Sequence, residues 1–264
     1  VWFDSSGVGR GLYAYFRRVV TLTAPAAEAR INIFADSVYQ LFVNGALIEF
    51  GPVRFDPRFP VYDTIDLAPH LHDGPNVIAV RVNAYGHKTF KSIAGPGGFV
   101  AWGVITTTAG ETIDLATCDD AWRARQSRAY DALAPRLSFA LNAAEIFHQI
   151  DDEAGWMTAA FDDHDWAPAV ALERQDHWGP LQPRTIPFMD SRPMTPSHVM
   201  HILPLRQPEE LYSFSVLFPH RNEIDVDCTD TMLFTTWIHS DEDRDMLVGM
   251  FWGDTWLNGQ RLPV

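Results

Sequence analysis

The 264 residues include 34 Asp and Glu against 20 Lys and Arg, a formal charge of −14. Such an acidic surface repels phosphate backbones and anionic headgroups, so nucleic-acid and membrane-surface partners are not expected, whereas a neutral ligand is compatible. No apolar run approaches the length of a membrane span.

Nine Trp, seventeen Phe and seven Tyr tilt the chain toward pleated, half-buried surfaces. They also suit carbohydrate binding, because sugar C–H faces pack on aromatic rings, although core packing is the commoner use of any one ring. In chain order, residues 13–22 read as a β-branched and aromatic strand, and residues 29–34 as a second strand with period-two alternation. Residues 38–43 and 46–50 flank Asn44-Gly45, the strongest short-range hairpin signal, since a type I′ turn needs positive φ at both central residues. Gly51-Pro52 punctuates the return strand, and residues 61–67 form a short extended piece. After the turn Asp73-Gly74-Pro75, residues 76–82 are mostly apolar, as in a central strand. Residues 86–98 hold four glycines without phosphate-loop spacing and read as a surface loop. Residues 99–107 and 111–115 make a further hairpin around Ala109-Gly110, and residues 139–150 are ambiguous between a short helix and a strand.

Short strands, frequent turn signals and no long helical period indicate a β-sandwich or jelly roll. Seven prolines then fall in residues 174–208, the mark of an extended connector. Strands are expected again over 211–218, 222–226, 231–238 and 245–251. Residues 255–262 repeat the earlier hairpin pattern around Asn258-Gly259, and only five residues follow that glycine. A sandwich needs later strands to close its sheets. The expectation is therefore an N-terminal β-sandwich over 1–175, a Pro-rich connector over 176–208, and an incomplete second β-sandwich over 209–264, cut from a longer polypeptide.

The run Phe34-Ala-Asp-Ser-Val-Tyr-Gln-Leu-Phe-Val-Asn-Gly45 is followed by Gly51-Pro-Val-Arg-Phe-Asp-Pro57, Tyr62-Asp63 and Asn76-Val-Ile-Ala-Val80. Next come Asp119-Asp-Ala-Trp122, Ala144-Glu-Ile-Phe147, Gly155-Trp156, Phe161-Asp-Asp163 with Trp166, and Pro183-Arg-Thr-Ile-Pro187. This series resembles the N-terminal β domain of bacterial α-L-rhamnosidases, glycoside hydrolase family 78. His148 and His164 depart from the family pattern, which favours an aspartate and a serine there. The resemblance implies a jelly-roll or galactose-binding-like sandwich within an inverting glycosidase that removes terminal α-L-rhamnose. Inversion needs a general acid and a general base. In the family these lie in a later (α/α)-barrel domain, so no catalytic residue is assigned in this chain, and no cofactor or metal is expected. The implied partners are rhamnose-containing glycosides or polysaccharide and the protein's own downstream catalytic domain. An autonomous carbohydrate-binding module and a structural interaction domain are the rival readings.

Five residues are candidates for sugar contact. Arg54 and Asp56 offer charge-assisted hydrogen bonds to hydroxyls, or pair with each other or with Asp63 to lock their loop. Tyr62, Trp102 and Trp178 offer a stacking platform, or, for Trp178, a means of cementing the connector to the sandwich. Asp162, Asp163 and Asp165 suggest calcium, but without EF-hand spacing an Asx-type turn fits better. Asp151, Asp152 and Glu153 are expected in a solvated loop rather than a hydrolytic centre. His70 and His72 lack a third ligand of fitting spacing. Cys118 and Cys228 are expected to be buried free thiols.

Overall fold

The computed structural model describes residues 1–204, apart from Asp119, Pro135, Leu137, Phe139, residues 174 and 175 and residues 191–193. It further describes residue 235, residues 237–243 and residues 254–262. The strands expected over 211–218, 222–226 and 245–251, most of the one over 231–238, and Cys228 lie outside the described residues.

Two sheets face each other. The first has six strands: β1 (Leu12–Leu22), β3 (Val38–Val43), β4 (Ala46–Gly51), β6 (Gly74–Ala84), β9 (Arg123–Gln126) and β10 (Ala167–Pro168), in the spatial order β10-β9-β1-β6-β3-β4. The second has five: β2 (Ala26–Asp36), β5 (Val61–Asp66), β7 (Gly98–Thr107), β8 (Thr112–Asp114) and β11 (Gln182–Pro183), in the order β11-β5-β2-β7-β8. The fold is a β-sandwich, as its alternation and turn signals indicate. Asn44 (φ 51°) and Gly45 (φ 84°) form the expected tight hairpin between β3 and β4. Among the described residues of 140–150 there is no α-helix and no extended strand; Ala143 and Phe147 make isolated antiparallel bridges to Arg136 and Tyr130, and a 3₁₀ turn follows at Gln149–Asp151.

The core follows from strand alternation. Phe16, Leu41, Val80 and Val82 from the first sheet meet Ile31, Ile33, Phe99 and Ile105 from the second, all almost wholly buried. Each large apolar side chain so placed stabilises the fold by about 1.5–3 kcal/mol. Trp2 and Trp122 extend the core. A two-way backbone pairing of Trp2 with Val170 ties the chain start to the segment after β10.

A second apolar cluster lies on the outer side of the six-stranded sheet. Tyr15, Phe42, Val77 and Ala79 point outward from their strands and are covered by Ala129, Tyr130, Trp156 and Trp166. Tyr15 stacks on Trp156 at 4.2 Å between ring centroids. Arg17, fully buried, pins the cover: its guanidinium donates to the carbonyls of Thr158 (2.9 Å) and Phe161 (3.2 Å) and pairs with Asp163. The apolar run of β6 is explained by this arrangement, since β6 is packed on both faces.

The connector docks on the sandwich through backbone and side chain. Gly179 N–H donates to Pro57, Gln182 N–H to Pro60 and Arg184 N–H to Tyr62. The Arg184 guanidinium then reaches the fully buried Asp63 at 3.1 Å, and the Tyr39 hydroxyl donates to the same carboxylate at 2.6 Å from the opposite sheet. Gly51 permits this approach, because a Cβ there would overlap Asp63 Oδ2 and lie 2.8 Å from the Tyr39 ring.

Residues 225–264 separate from the preceding chain as a second compact unit. Its described hairpin consists of β12 (Trp256–Leu257) and β13 (Gln260–Arg261), joined by Asn258 (φ 50°) and Gly259 (φ 80°) in the turn their sequence predicts.

Candidate functional site

The two sheets differ in what lies outside them. The outer face of the five-stranded sheet stays open over part of its area, with Arg30, Thr64, Asp66 and Val104 exposed. On β2, Asn32 is paired with Thr64 of β5 on one side and with Trp102 of β7 on the other. Strand alternation therefore puts Tyr62, two residues before Thr64, on the same face as Trp102. Their rings meet edge to face, 4.8 Å apart at 62°, and both are half-buried. Beside them the Thr64 hydroxyl donates to Asn32 Oδ1 at 2.6 Å. The open face thus combines aromatic surface with amide and hydroxyl groups, the pairing that suits a polyol carrying apolar C–H patches.

Trp178 stands at one border of this face. Its indole N–H donates to Asp36 Oδ2 at 2.9 Å, its ring lies edge-on to Phe34 at 6.4 Å, and a Cβ at Gly98 would sit 2.7 Å from the ring. These contacts hold the connector to β2 and β7. Burial pushes the Asp36 carboxyl up, and the Trp178 hydrogen bond and the neighbouring His177 oppose that shift.

Arg54 is exposed, and Asp56 takes a different partner from those expected. Arg58 donates to Asp56 from its backbone N–H (2.9 Å), its Nε (3.0 Å) and its Nη2 (2.7 Å), hydrogen bonds that hold the carboxyl down at about 2. The reason is local. An Asp two positions ahead accepts the N–H of an Asx-type turn, and that turn brings the Arg58 side chain alongside. Asp63 points inward from β5 and is taken by Arg184 and Tyr39.

The acidic segments expected as turns and solvated loops serve as clamps. Asp162 accepts from the backbone and ring of His164, both at 3.1 Å, in the expected Asx turn. Asp163 goes to Arg17, and Asp165 to Arg125 at 2.7 Å. Glu153 takes the Nε of the same Arg125 at 3.0 Å, and Asp152 accepts the Tyr15 hydroxyl at 2.8 Å. The solvated-loop expectation for residues 151–153 is thus corrected for two of the three: outward-facing Tyr15 and Arg125 offered partners that local sequence does not reveal. His70 and His72 are exposed, and His72 Nδ1 lies 2.9 Å from the Asp73 carbonyl. Among the described residues no three His, Cys, Asp or Glu converge as metal ligands. Cys118 is a free thiol, but exposed rather than buried, because it sits in the turn after β8 and Leu115, outside both cores.

Comparison with known proteins agrees with this architecture. The family described as the alpha-L-rhamnosidase N-terminal domain matches residues 24–185, a stretch that includes both Asp63 and Arg184. An alpha-L-rhamnosidase of Streptomyces avermitilis is 26% identical over 191 residues, which is 69% of this chain and 15% of that protein. The crystal structure of a GH78 rhamnosidase from Bacillus sp. GL1 superposes with a TM-score of 0.61 at 33% identity, over 71% of this chain and 20% of the other. The alpha-L-rhamnosidase from Dictyoglumus thermophilum shares the fold, with a TM-score of 0.54 at 20% identity over 67% of this chain and 19% of the other. The chain spans only 15% to 20% of the length of these relatives. Since the matched stretch covers more than half of its residues, the chain belongs to the alpha-L-rhamnosidase N-terminal domain family.

Proposed function

We propose that this chain is the non-catalytic N-terminal accessory region of an α-L-rhamnosidase-type glycoside hydrolase acting on rhamnose-containing glycosides or polysaccharide. Bond cleavage then belongs to a downstream (α/α)-barrel domain, by inversion, with one carboxyl group protonating the leaving oxygen and a second activating water. The observation that carries this reading is the family match together with the fraction of its relatives that the chain spans. The engagement of Asp63, Asp152, Glu153, Asp163 and Asp165 with arginines and tyrosines of the sandwich supports it, because these acids are committed to holding segments together. Residues 1–264 should release no p-nitrophenol from an aryl α-L-rhamnoside. Turnover by this chain alone would refute the reading.

The edge-to-face pair of Tyr62 and Trp102 favours a second role, as a carbohydrate-binding face within the same accessory region. Arg54 and Asp56 on the neighbouring loop, and Trp178 at the border, complete the candidate set. Affinity electrophoresis on rhamnose-containing polysaccharide tests this role: retardation should disappear in Trp102→Ala and in Tyr62→Ala. Unchanged retardation in both would remove the face from the reading.

A further inference from the structure

We propose that Asn32, Arg30 and Val104 make the open face of the five-stranded sheet selective for a 6-deoxyhexose, the two polar groups holding ring hydroxyls and Val104 receiving the C6 methyl group. The proposal rests on the carbohydrate reading of that face and adds which sugar it takes and which residues choose it. None of the three is among the residues that the sequence nominates for sugar contact. Strand register fixes their layout. Arg30 of β2 stands between Asp66 of β5 and Val104 of β7, and in the next row of the same face Asn32 stands between Thr64 and Trp102. Side chains so opposed have Cβ atoms about 5 Å apart. Gly103 lets β7 lie close against β2, because a Cβ there would overlap the Arg30 carbonyl oxygen. The two rows are divided by strand: β7 contributes Trp102 and Val104, while β2 and β5 contribute four polar side chains.

The polar half of the face has hydrogen-bonding capacity to spare. Thr64 orients Asn32 by donating its hydroxyl to Asn32 Oδ1 at 2.6 Å, which leaves the amide nitrogen to donate, and that nitrogen has no partner among the described residues. Donor Nδ2 and acceptor Thr64 Oγ1 then stand side by side, the complement of two adjacent hydroxyls. Asp66, the carboxylate opposite Arg30, accepts the Ala68 N–H at 3.0 Å instead, and Arg30 forms no hydrogen bond or ion pair with a described residue. One cation and one carboxylate leave this row without net charge, which suits a neutral ligand better than an anion. Asp56 and the Trp178 N–H, by contrast, are already engaged by Arg58 and Asp36.

The apolar half names the sugar. Val104 is 46% exposed and follows Trp102 by two residues on the same face. A pyranose ring resting on Trp102, with its hydroxyls turned to β2 and β5, carries its exocyclic carbon on the β7 side. An apolar side chain there gains from covering a methyl group and leaves a hydroxymethyl group without a hydrogen-bond partner. A 6-deoxyhexose has the matching division, hydroxyls along one side and a methyl group at the other.

Ligand-observed NMR titration of residues 1–264 tests the site, with methyl α-L-rhamnopyranoside against methyl α-L-mannopyranoside, which differs only by a hydroxyl on C6. The rhamnoside should bind about fourfold more tightly, the worth of one covered methyl group. Val104→Thr, nearly the same shape with a hydroxyl, should erase that preference. Asn32→Asp keeps an acceptor for Thr64 and removes the donor, so it should weaken both sugars about tenfold, and Arg30→Gln should weaken both by a smaller factor. These side chains are exposed or half-buried, and an unchanged unfolding midpoint checks that each variant folds. Equal affinity for the two sugars, or a preference that survives Val104→Thr, would overturn the methyl assignment. Binding that is lost in Trp102→Ala yet untouched by Asn32→Asp and Arg30→Gln would overturn the proposal while leaving the face a sugar site. Absence of binding by either sugar would remove the carbohydrate reading of the face and the proposal together.

Discussion

The outer faces of the two sheets follow opposite solutions to the same problem. The six-stranded sheet would expose Tyr15, Phe42, Val77 and Ala79, and Ala129, Tyr130, Trp156 and Trp166, with Met157, Ala159 and Phe161, cover them. The five-stranded sheet places Arg30, Asn32 and Thr64 outward and needs no such cover over that area. Its half-buried aromatic pair, Tyr62 and Trp102, meets across β2 from the neighbouring strands β5 and β7. The difference teaches that in this fold an outward aromatic is structural where a loop comes down upon it, and that the proposed sugar contact belongs to the sheet face where the described residues leave the rings half-exposed.

The covered face should be the more sensitive to deletion. Trp156 is 2% exposed and stacks on Tyr15, so Trp156→Ala removes a large ring from a closed site. It should cost about 3–5 kcal/mol in urea unfolding, with the loss divided between transfer and cavity. A cost below about 1 kcal/mol would mean that residues 127–166 contribute little to the fold. Next in size is the connector latch. Arg184→Ala leaves the Asp63 carboxylate fully buried with only the Tyr39 hydroxyl, and removal of one member of such a pair costs about 3 kcal/mol. The same variant should make the chain near residue 184 a preferred proteolytic site, read by limited chymotrypsin digestion and mass spectrometry as cleavage after Phe188.

Much of the sandwich was legible because its signals are local. The Asn44-Gly45 turn, the alternation in β2 and the apolar run of β6 each state their place in the fold within a few residues. The strand β9 was not, since Arg123-Ala-Arg-Gln126 is short and its apolar content is one alanine; it forms because β1 offers it an edge. The cover over 127–166 lacks a period of any kind, and its role appears only when Trp156 and Trp166 are found against Tyr15. The sugar-contact candidates were legible as rings and charges but not as a constellation. Register decides that Tyr62 and Trp102 meet across β2, while Trp178 is engaged by Asp36. Arg58 and Arg184 escaped notice because side-chain reach, not spacing, selects them as the partners of Asp56 and Asp63.

Asp36 sharpens the comparison at the border between covered and open surface. Burial raises its pKa above the ordinary 3.8. As pH rises through that ordinary value, the unfolded chain releases this proton first while the folded protein keeps it. Stability therefore falls with pH until the raised folded value is passed, and the deficit persists at neutral pH. Asp36→Asn keeps an acceptor for the Trp178 N–H and removes the ionisation. It should raise the urea midpoint at neutral pH and leave it nearly unchanged at the acidic end. A lower midpoint at neutral pH would show that the charge itself, through Trp178 and His177, is needed to seat the connector.

The smallest expected effect on stability belongs to the open face. Trp102→Ala exchanges a half-buried ring for a methyl group where solvent already reaches, so the neighbouring side chains and water can fill the space without leaving a closed void. The cost should be about 1 kcal/mol, clearly below that of Trp156→Ala, although the two side chains are identical. Trp102→Ala should nevertheless abolish retention on rhamnose-containing polysaccharide, and Trp156→Ala, measured where it remains folded, should not. Two tryptophans with opposite rankings for stability and for binding would separate the covered face from the open one. Equal rankings in both measurements would mean that Trp102, like Trp156, is an element of packing.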